Sequence, residues 1–284
     1  MNLDMICFGG AHVDIKAQAK RPVMLTCSNP VRTMQTFGGV ARNVAENAAR
    51  LGLSVGVVSR VGTDQNGASV LAHLRACQMD VSSITQSTTS ATGTYTALLE
   101  PDGNMTVALA DMDIYDEMTP TLLKEVLTQI PSAPYWLVDT NLSEESLGFL
   151  AQVAPPDVKL WAIAASALKI ERLRAILHRL DGVILNDAEL AVLVGCTRDV
   201  GKLRSHGVEH VVITKGDESV CFASSHGIRN FAVKKARATD VTGAGDALCA
   251  GVLFGMIRHQ SIDQMMQLGL DLAREAVCTM ESTA

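Results

Sequence analysis

The apolar positions along this chain change period several times. "MICFGG" (5–10) is a short continuous apolar run closed by a glycine turn, the pattern of a buried strand. In "GGVARNVAENAARLG" (38–52), Val40, Val44, Ala48 and Leu51 share one helical face, and Gly52 marks the stop. "SVGVVSRVG" (54–62) predicts a strand and "QNGASVLAHLRACQM" (65–79) a helix. The β-rich runs "TGTYTALLE" (92–100) and "MTVALA" (105–110) flank Pro101-Asp102-Gly103-Asn104 and predict a hairpin. From residue 135 strands and helices alternate. Strands are expected at 135–139, 158–164, 182–186, 210–214 and 219–223, and helices at 243–259 and 262–280. Residues 16–37 are polar, carry Pro22 and Pro30, and are expected to be irregular.

The later strands are apolar throughout, as when helices cover both faces of a sheet. The predicted fold class is therefore α/β: a doubly wound, mostly parallel sheet with helices on both faces. The segments near 11–37 and 92–115 fall outside that layer. They are expected to form a small β-sheet lid over one end of a single domain spanning 1–284. A net charge of -6 argues against non-specific binding of nucleic acid or an anionic membrane. Seven cysteines stand singly, with no C-x-x-C, so neither a disulfide framework nor a zinc site is indicated. "MNLDMICFGG" has no basic n-region or long apolar core. No run approaches the roughly 18 apolar residues of a membrane span. The expected compartment is the cytoplasm.

The chemistry concentrates in "DVTGAGDALCAG" (240–251), a loop that runs into a helix whose first turn is Gly-Ala-Gly-Asp. Backbone N–H groups at such an N-terminus form an anion hole. The lysine of a Walker A loop is absent, and Leu248 stands where a dinucleotide fingerprint has its third glycine. Asp246 has two readings. It caps the helix and favours the dipole, or it is a general base beside a phosphoryl site.

Other segments offer similar pairs of readings. In "GGVARN" (38–43), Gly38 and Gly39 either open a helix or admit a polyhydroxyl ligand, with Asn43 reading its hydroxyls. Asp14 is a turn carboxylate or an acceptor for a sugar diol. "NDAE" (186–189) ends an apolar strand, where open α/β sheets bind ligands. Asn186 and Glu189 make a cap and a surface acid, or oxygen ligands for Mg²⁺ and its waters. Thr214 and Gly216 of "ITKGDES" touch a nucleotide or simply make a tight turn. Lys234, Lys235 and Arg237 are a solvated edge or a receiver for triphosphate. His206 and His210 read as surface or core histidines.

In this order, these segments resemble the ribokinase-like (PfkB-type) family of carbohydrate and nucleoside kinases along nearly the whole chain. The resemblance implies a small-molecule sugar or nucleoside substrate, with ATP and Mg²⁺. It makes Asp246 the base and the N–H groups of Gly243, Ala244, Gly245 and Asp246 the anion hole. Asp14, Gly38, Gly39 and Asn43 would hold the sugar. Asn186, Glu189, Thr214 and Gly216 would serve ATP and Mg²⁺. Asp240 and the Thr242 carbonyl would hold a monovalent cation such as K⁺. "SNP" (28–30), "ALADMDIYDEMTP" (108–120), "VDTNLSEESL" (138–147) and "SALK" (166–169) are similar to segments of the family's pseudouridine kinases. That implies Ser28, Asn29, Asp111, Asn141 and Lys169 near the base or lid. Separately, an exposed lid sheet could pair edge to edge, giving a homodimer through the lid. The chain departs from the family at Ile163-Ala164, where an Asp-Pro pair is usual, and at Ser219, where a third glycine is expected.

Overall fold

The computed structural model describes residues 2–195, 200–234 and 242–278. In chain order its elements are β1 (Met5–Phe8), β2 (His12–Ala19), β3 (Val31–Gly38), α1 (Val40–Arg50), β4 (Val55–Gly62), α2 (Gln65–Ala76), β5 (Ile84–Ser87), β6 (Thr94–Leu99) and β7 (Met105–Asp111). A 3-10 turn (Asp113–Glu117), α3 (Pro120–Leu127), β8 (Tyr135–Asp139), α4 (Glu144–Val153) and β9 (Lys159–Ile163) follow. After a 3-10 stretch (Ile170–Arg179) come β10 (Gly182–Asn186), α5 (Asp187–Val194), α6 (Val200–Ser205), β11 (His210–Lys215), β12 (Ser219–Ser224), β13 (Gly227–Ala232), α7 (Ala244–Ile257) and α8 (Ile262–Cys278).

The large sheet has the order β13-β12-β11-β10-β9-β8-β1-β4-β5. Every pairing from β5 to β11 is parallel, and β12 and β13 close the far edge antiparallel. The side chains of β1 show why its run is apolar throughout. Ile6 and Phe8 enter the core layer with Leu147, Leu150 and Leu190, under α4 and α5. Met5 and Cys7 enter the opposite layer with Val44, Leu74 and Leu248, under α1, α2 and α7. Alternation places these residues on two faces, and both faces are covered.

The small sheet has the order β3-β2-β6-β7. It contains the expected hairpin, β6 with β7. It also corrects the irregular reading of 16–37, because β2 and β3 pair from His12–Gly38 to Ala19–Val31. The sequence "HVDIKAQA" alternates strictly, but its polar positions do not face water. His12, Asp14 and Lys16 are 8%, 5% and 8% exposed. Pro22 and Pro30 lie in the connection between the strands, where no ladder bond is lost. β5 and β13 were not expected; β13 is an edge strand exposed at most positions. No helix among the described residues is long and apolar enough to cross a membrane.

Because the central strands are parallel, the loops after β1, β8 and β10 emerge at one edge. There α1 packs against α7, which brings the two glycine-led helix starts together.

Candidate active site

α7 opens on Gly243, whose φ of 82° is left-handed and suits glycine. Ala247 N–H makes the first intrahelical bond, to the Gly243 carbonyl at 2.9 Å. The N–H groups of Ala244, Gly245 and Asp246 precede it, and no side chain caps the helix. Gly245 is exposed and faces open space. Together these groups make an uncapped, positive helix end.

Asp246 sits in that first turn with 8% exposure. Burial pushes its carboxyl up to about 7. The Asn43 amide and the Arg42 guanidinium pull the other way, while Asp139 and Glu189 add to the rise. Asn43 Nδ2 donates to Asp246 Oδ2 at 2.7 Å. The acid is thus divided between its two forms near neutral pH, the range that suits a general base.

Asn43 is held by the turn before α1. Gly39 has φ 101°, and a Cβ there would lie 2.2 Å from the Gly10 carbonyl oxygen. At Gly38 a Cβ would lie 2.2 Å from Asp14 Oδ1, so this glycine makes room for the carboxylate. Asp14 Oδ1 has no hydrogen-bond partner among the described residues, although His12 Nε2 lies 3.3 Å away. A buried carboxylate oxygen in that state can accept a hydroxyl. His12 itself leans on the Tyr115 hydroxyl at 3.1 Å, which also accepts from the Ala11 N–H at 2.8 Å.

Asp139, at the end of β8, was not singled out in the sequence. Its Oδ2 accepts from the N–H groups of Gly10 and Ala41, both at 2.9 Å, and from Asn141 Nδ2 at 3.3 Å. Its Oδ1 accepts from the Asn141 N–H at 2.8 Å. One buried side chain therefore ties the turn after β1, the start of α1 and the loop after β8. The same loop holds Asn141, whose Oδ1 accepts from Lys169 Nζ at 2.8 Å. Arg172 binds the carbonyls of Thr140, Asn141 and Leu142 from below. Burial, then Arg172, lowers the Lys169 pKa.

Arg42 and Glu46 were also missed. Arg42 is 2% exposed. It donates to the carbonyls of Gly38 and Phe37, at 3.2 and 2.5 Å, and to Asn43 Oδ1. Glu46, fully buried, neutralises it and also meets Arg50 at 2.6 Å and His73 at 2.8 Å. Burial alone would raise the Glu46 carboxyl, but His73, Arg42 and Arg50 bring it down to about 2.

Asn186 and Glu189 form a reciprocal capping box at the start of α5, with bonds of 2.8 and 2.9 Å. Glu189 is buried rather than a surface acid, and burial raises its carboxyl. Asn186 pairs with Thr214 across β10 and β11. With Gly216 they line a cavity of about 270 Å³ at the carboxyl end of these strands. A larger cavity, about 630 Å³, lies at the opposite end of the sheet, lined by Leu3, Ile130, Trp136 and Val158. It contains none of these groups, so chemistry rather than size locates the site.

Ser28 and Asn29 lie in the loop joining β2 and β3. Asn29 bonds Met24 and Cys27 of the same loop. Asp111 is exposed at the end of β7, paired with Thr94. Among the described residues no hydrogen bond joins these three to the Asp246 group. Thr242 is exposed beside Gly243. Asp240, Lys235 and Arg237 lie outside the described residues.

The chain is 30% identical over 257 residues to the pseudouridine kinase of Escherichia coli (strain K12), covering 87% of this chain and 82% of that one. A solved carbohydrate kinase from Agrobacterium tumefaciens superposes with a TM-score of 0.88 at 32% identity, covering 100% and 93% of the two chains. The Arabidopsis thaliana ribokinase complexed with ribose and ATP shares the fold, with a TM-score of 0.83 at 18% identity and coverage of 99% and 95%. The pfkB family carbohydrate kinase model matches residues 3–284, and the chain belongs to that family of ribokinase-like sugar and nucleoside kinases.

Proposed function

We propose that this kinase transfers the γ-phosphoryl group of ATP to the 5′-hydroxyl of pseudouridine, with Asp246 as general base. The observation that carries the reading is Asp246 itself. It is a buried carboxyl with a pKa raised to about 7, placed on an uncapped helix N-terminus. In the transfer, the hydroxyl proton passes to Asp246. The hydroxyl oxygen forms a bond to the γ-phosphorus, and the bond from that phosphorus to the β–γ bridging oxygen breaks. ADP leaves. The N–H groups of Ala244, Gly245 and Asp246 face the charge on the transferring oxygens.

The remaining residues take roles around that centre. The unpartnered Asp14 Oδ1 accepts from sugar hydroxyls, beside the space left by Gly38. Asn43 orients Asp246 and reads a further hydroxyl. Asn141, braced by Lys169, would read the base, because a C-linked uracil presents an extra N–H at its edge. Asn186, Thr214 and Gly216 border the cavity assigned to the nucleotide. The oxygen donors Asn186 and Glu189 suit Mg²⁺ through its waters, and Glu189 is a buried acid that a nearby cation would relieve. Mg²⁺ would neutralise phosphate charge there. The small sheet acts as the lid that excludes water. Val107 and Leu109, exposed on its edge strand β7, offer the contact for a second copy.

The test is ADP release, coupled to a spectrophotometric readout, over a panel of nucleosides and sugars with ATP and Mg²⁺. Pseudouridine is expected to give the highest kcat/KM. Turnover of ribose, fructose or a purine nucleoside without turnover of pseudouridine overturns the substrate assignment. No ADP release with any substrate overturns the role of Asp246 as well.

A further inference from the structure

Behind the glycine turn, on the side of α1 facing α2, three different ligand types converge. His73 and Cys77 lie four residues apart at the end of α2, so they share a face. Glu46 of α1 stands opposite. His73 Nε2 is 2.8 Å from Glu46 Oε2 and 3.7 Å from Cys77 Sγ. All the ligand atoms lie within 4.8 Å of one another. A tetrahedral zinc ion with bonds of about 2.0–2.3 Å spaces its ligand atoms roughly 3.3–3.7 Å apart. Shifts of up to about 1 Å would close the cluster on an ion.

The donor set selects among metals. Imidazole nitrogen with thiolate sulfur suits Zn²⁺ and Cd²⁺, whereas Mg²⁺ asks for oxygen alone. The His73 ring is already oriented, because Phe37 stacks on it with centroids 4.3 Å apart. Glu46 is fully buried, while His73 and Cys77 are partly exposed. An ion therefore has a way in from solvent, which can supply the fourth ligand. On binding, the thiol proton leaves to solvent and the imidazole carries its proton on Nδ1.

Such an ion would compete for Glu46. Arg50 is half-exposed and can swing into water, but Arg42 is buried and cannot. Arg42 is also the group that holds the carbonyls of Phe37 and Gly38 and the side chain of Asn43. Drawing Glu46 onto a metal leaves that guanidinium without its counter-charge beside the turn that serves Asp246. We propose that Glu46, His73 and Cys77 form an inhibitory site for a thiophilic divalent cation of the Zn²⁺ class, separate from the Mg²⁺ used with ATP. The inhibition rests on the kinase reading above, but binding of the ion does not.

The test therefore begins without substrate. The whole protein is titrated with Cd²⁺ and followed by thiolate-to-metal ultraviolet absorption. One equivalent is expected to give the band in the wild type. His73→Gln should bind at least tenfold more weakly, and Cys77→Ser should lose the band while the exposed Cys27 and Cys278 remain. Thermal melts in Zn²⁺ give a second readout, with a rise in Tm expected for the wild type and little for either variant. No band in the wild type, or an unchanged band in both variants, overturns the site. In the ADP-release assay, with Mg²⁺ and ATP in excess, Zn²⁺ should inhibit the wild type at concentrations at least tenfold below those needed for Cys77→Ser. Each protein is compared with its own metal-free rate. Binding without that difference overturns the inhibitory role alone.

Discussion

Asp246→Asn separates a catalytic carboxylate from a helix cap, because the two roles predict stability changes of opposite sign. In the folded protein the carboxyl rises from 3.8 to about 7. Each pKa unit is worth 1.36 kcal/mol, so holding the ionised form in the fold costs about 4 kcal/mol above pH 7. The sign follows from the proton count. Between pH 3.8 and 7 the folded state binds the extra proton, so stability falls as pH rises through that window and levels off above it. Asparagine has no ionised form to hold, and the Asn43 amide can still donate to its side-chain oxygen. The variant should therefore be more stable than the wild type at pH 8. At roughly 2–4 °C per kcal/mol for a chain of this size, the gain in Tm is at least about 5 °C. At pH 5 it should shrink to less than half of that.

If Asp246 only capped α7 and favoured its dipole, removing the charge would cost about 0.5–1 kcal/mol instead. Activity supplies the second arm. Loss of a positioned base lowers kcat by about 10²-fold or more. The wild-type kcat/KM should rise with pH and reach half its plateau near 7. Thermal melts and ADP-release rates on both proteins from pH 5 to 9 give all of these quantities. A variant that melts below the wild type at pH 8 and keeps its turnover refutes the assignment.

Three further substitutions test the scaffold. Glu46→Gln leaves the Arg42 guanidinium buried without a counter-charge, so unfolding by denaturant should show a loss of about 3–5 kcal/mol. Its kcat/KM should fall as well, because Arg42 braces Asn43. Gly39→Ala forces a left-handed φ on alanine and drives its Cβ against the Gly10 carbonyl. We expect a loss of at least about 1–3 kcal/mol and a raised KM for the phosphoryl acceptor, measured by melts and initial rates. Asp139→Asn turns an acceptor into a donor that faces either the N–H groups of Gly10 and Ala41 or the N–H of Asn141. It should lower stability by about 1–3 kcal/mol, read from the denaturant midpoint.

The sequence was most legible where burial is uniform. β8 and β10 were expected at the residues they occupy, because strands covered on both faces must be apolar throughout. The start of α7 was legible because a Gly-Ala-Gly turn leads into an apolar helical run. The bounds of β2 within the expected lid were missed because its inward face is polar. "HVDIKAQA" has the period of a strand, but His12, Asp14 and Lys16 occupy the face usually given to apolar residues. Arg42 and Glu46 misled for a related reason. An Arg–Glu pair four apart on a helix ordinarily belongs in water, and here it is buried beneath a site. Asp139 was missed because the N–H donors that tie it to other elements come from residues 129 and 98 positions away.

The buried carboxylates of this site differ in how far the protein has filled them, and that difference separates scaffold from chemistry. Asp139 accepts from two backbone N–H groups of distant elements and twice from Asn141, so its oxygens are occupied by the fold. Glu46 is surrounded by Arg42, Arg50 and His73. Both are met by protein partners in the resting protein, and both fix the turn from which Asn43 reaches out. Asp14 and Asp246 are buried too, yet among the described residues one oxygen of Asp14 has no hydrogen-bond partner and Asp246 accepts from Asn43 alone. A fold keeps a buried acceptor unfilled only at a cost in stability. Asp14 and Asp246 both lie beside the Gly38–Gly39 turn, at the edge where the central strands end. A substrate hydroxyl beside Asp246 and a second hydroxyl on Asp14 would fill both. Binding of the phosphoryl acceptor should therefore raise the Tm of wild type more than that of Asp14→Asn, and equal shifts in the two proteins would show that Asp14 does not meet the substrate.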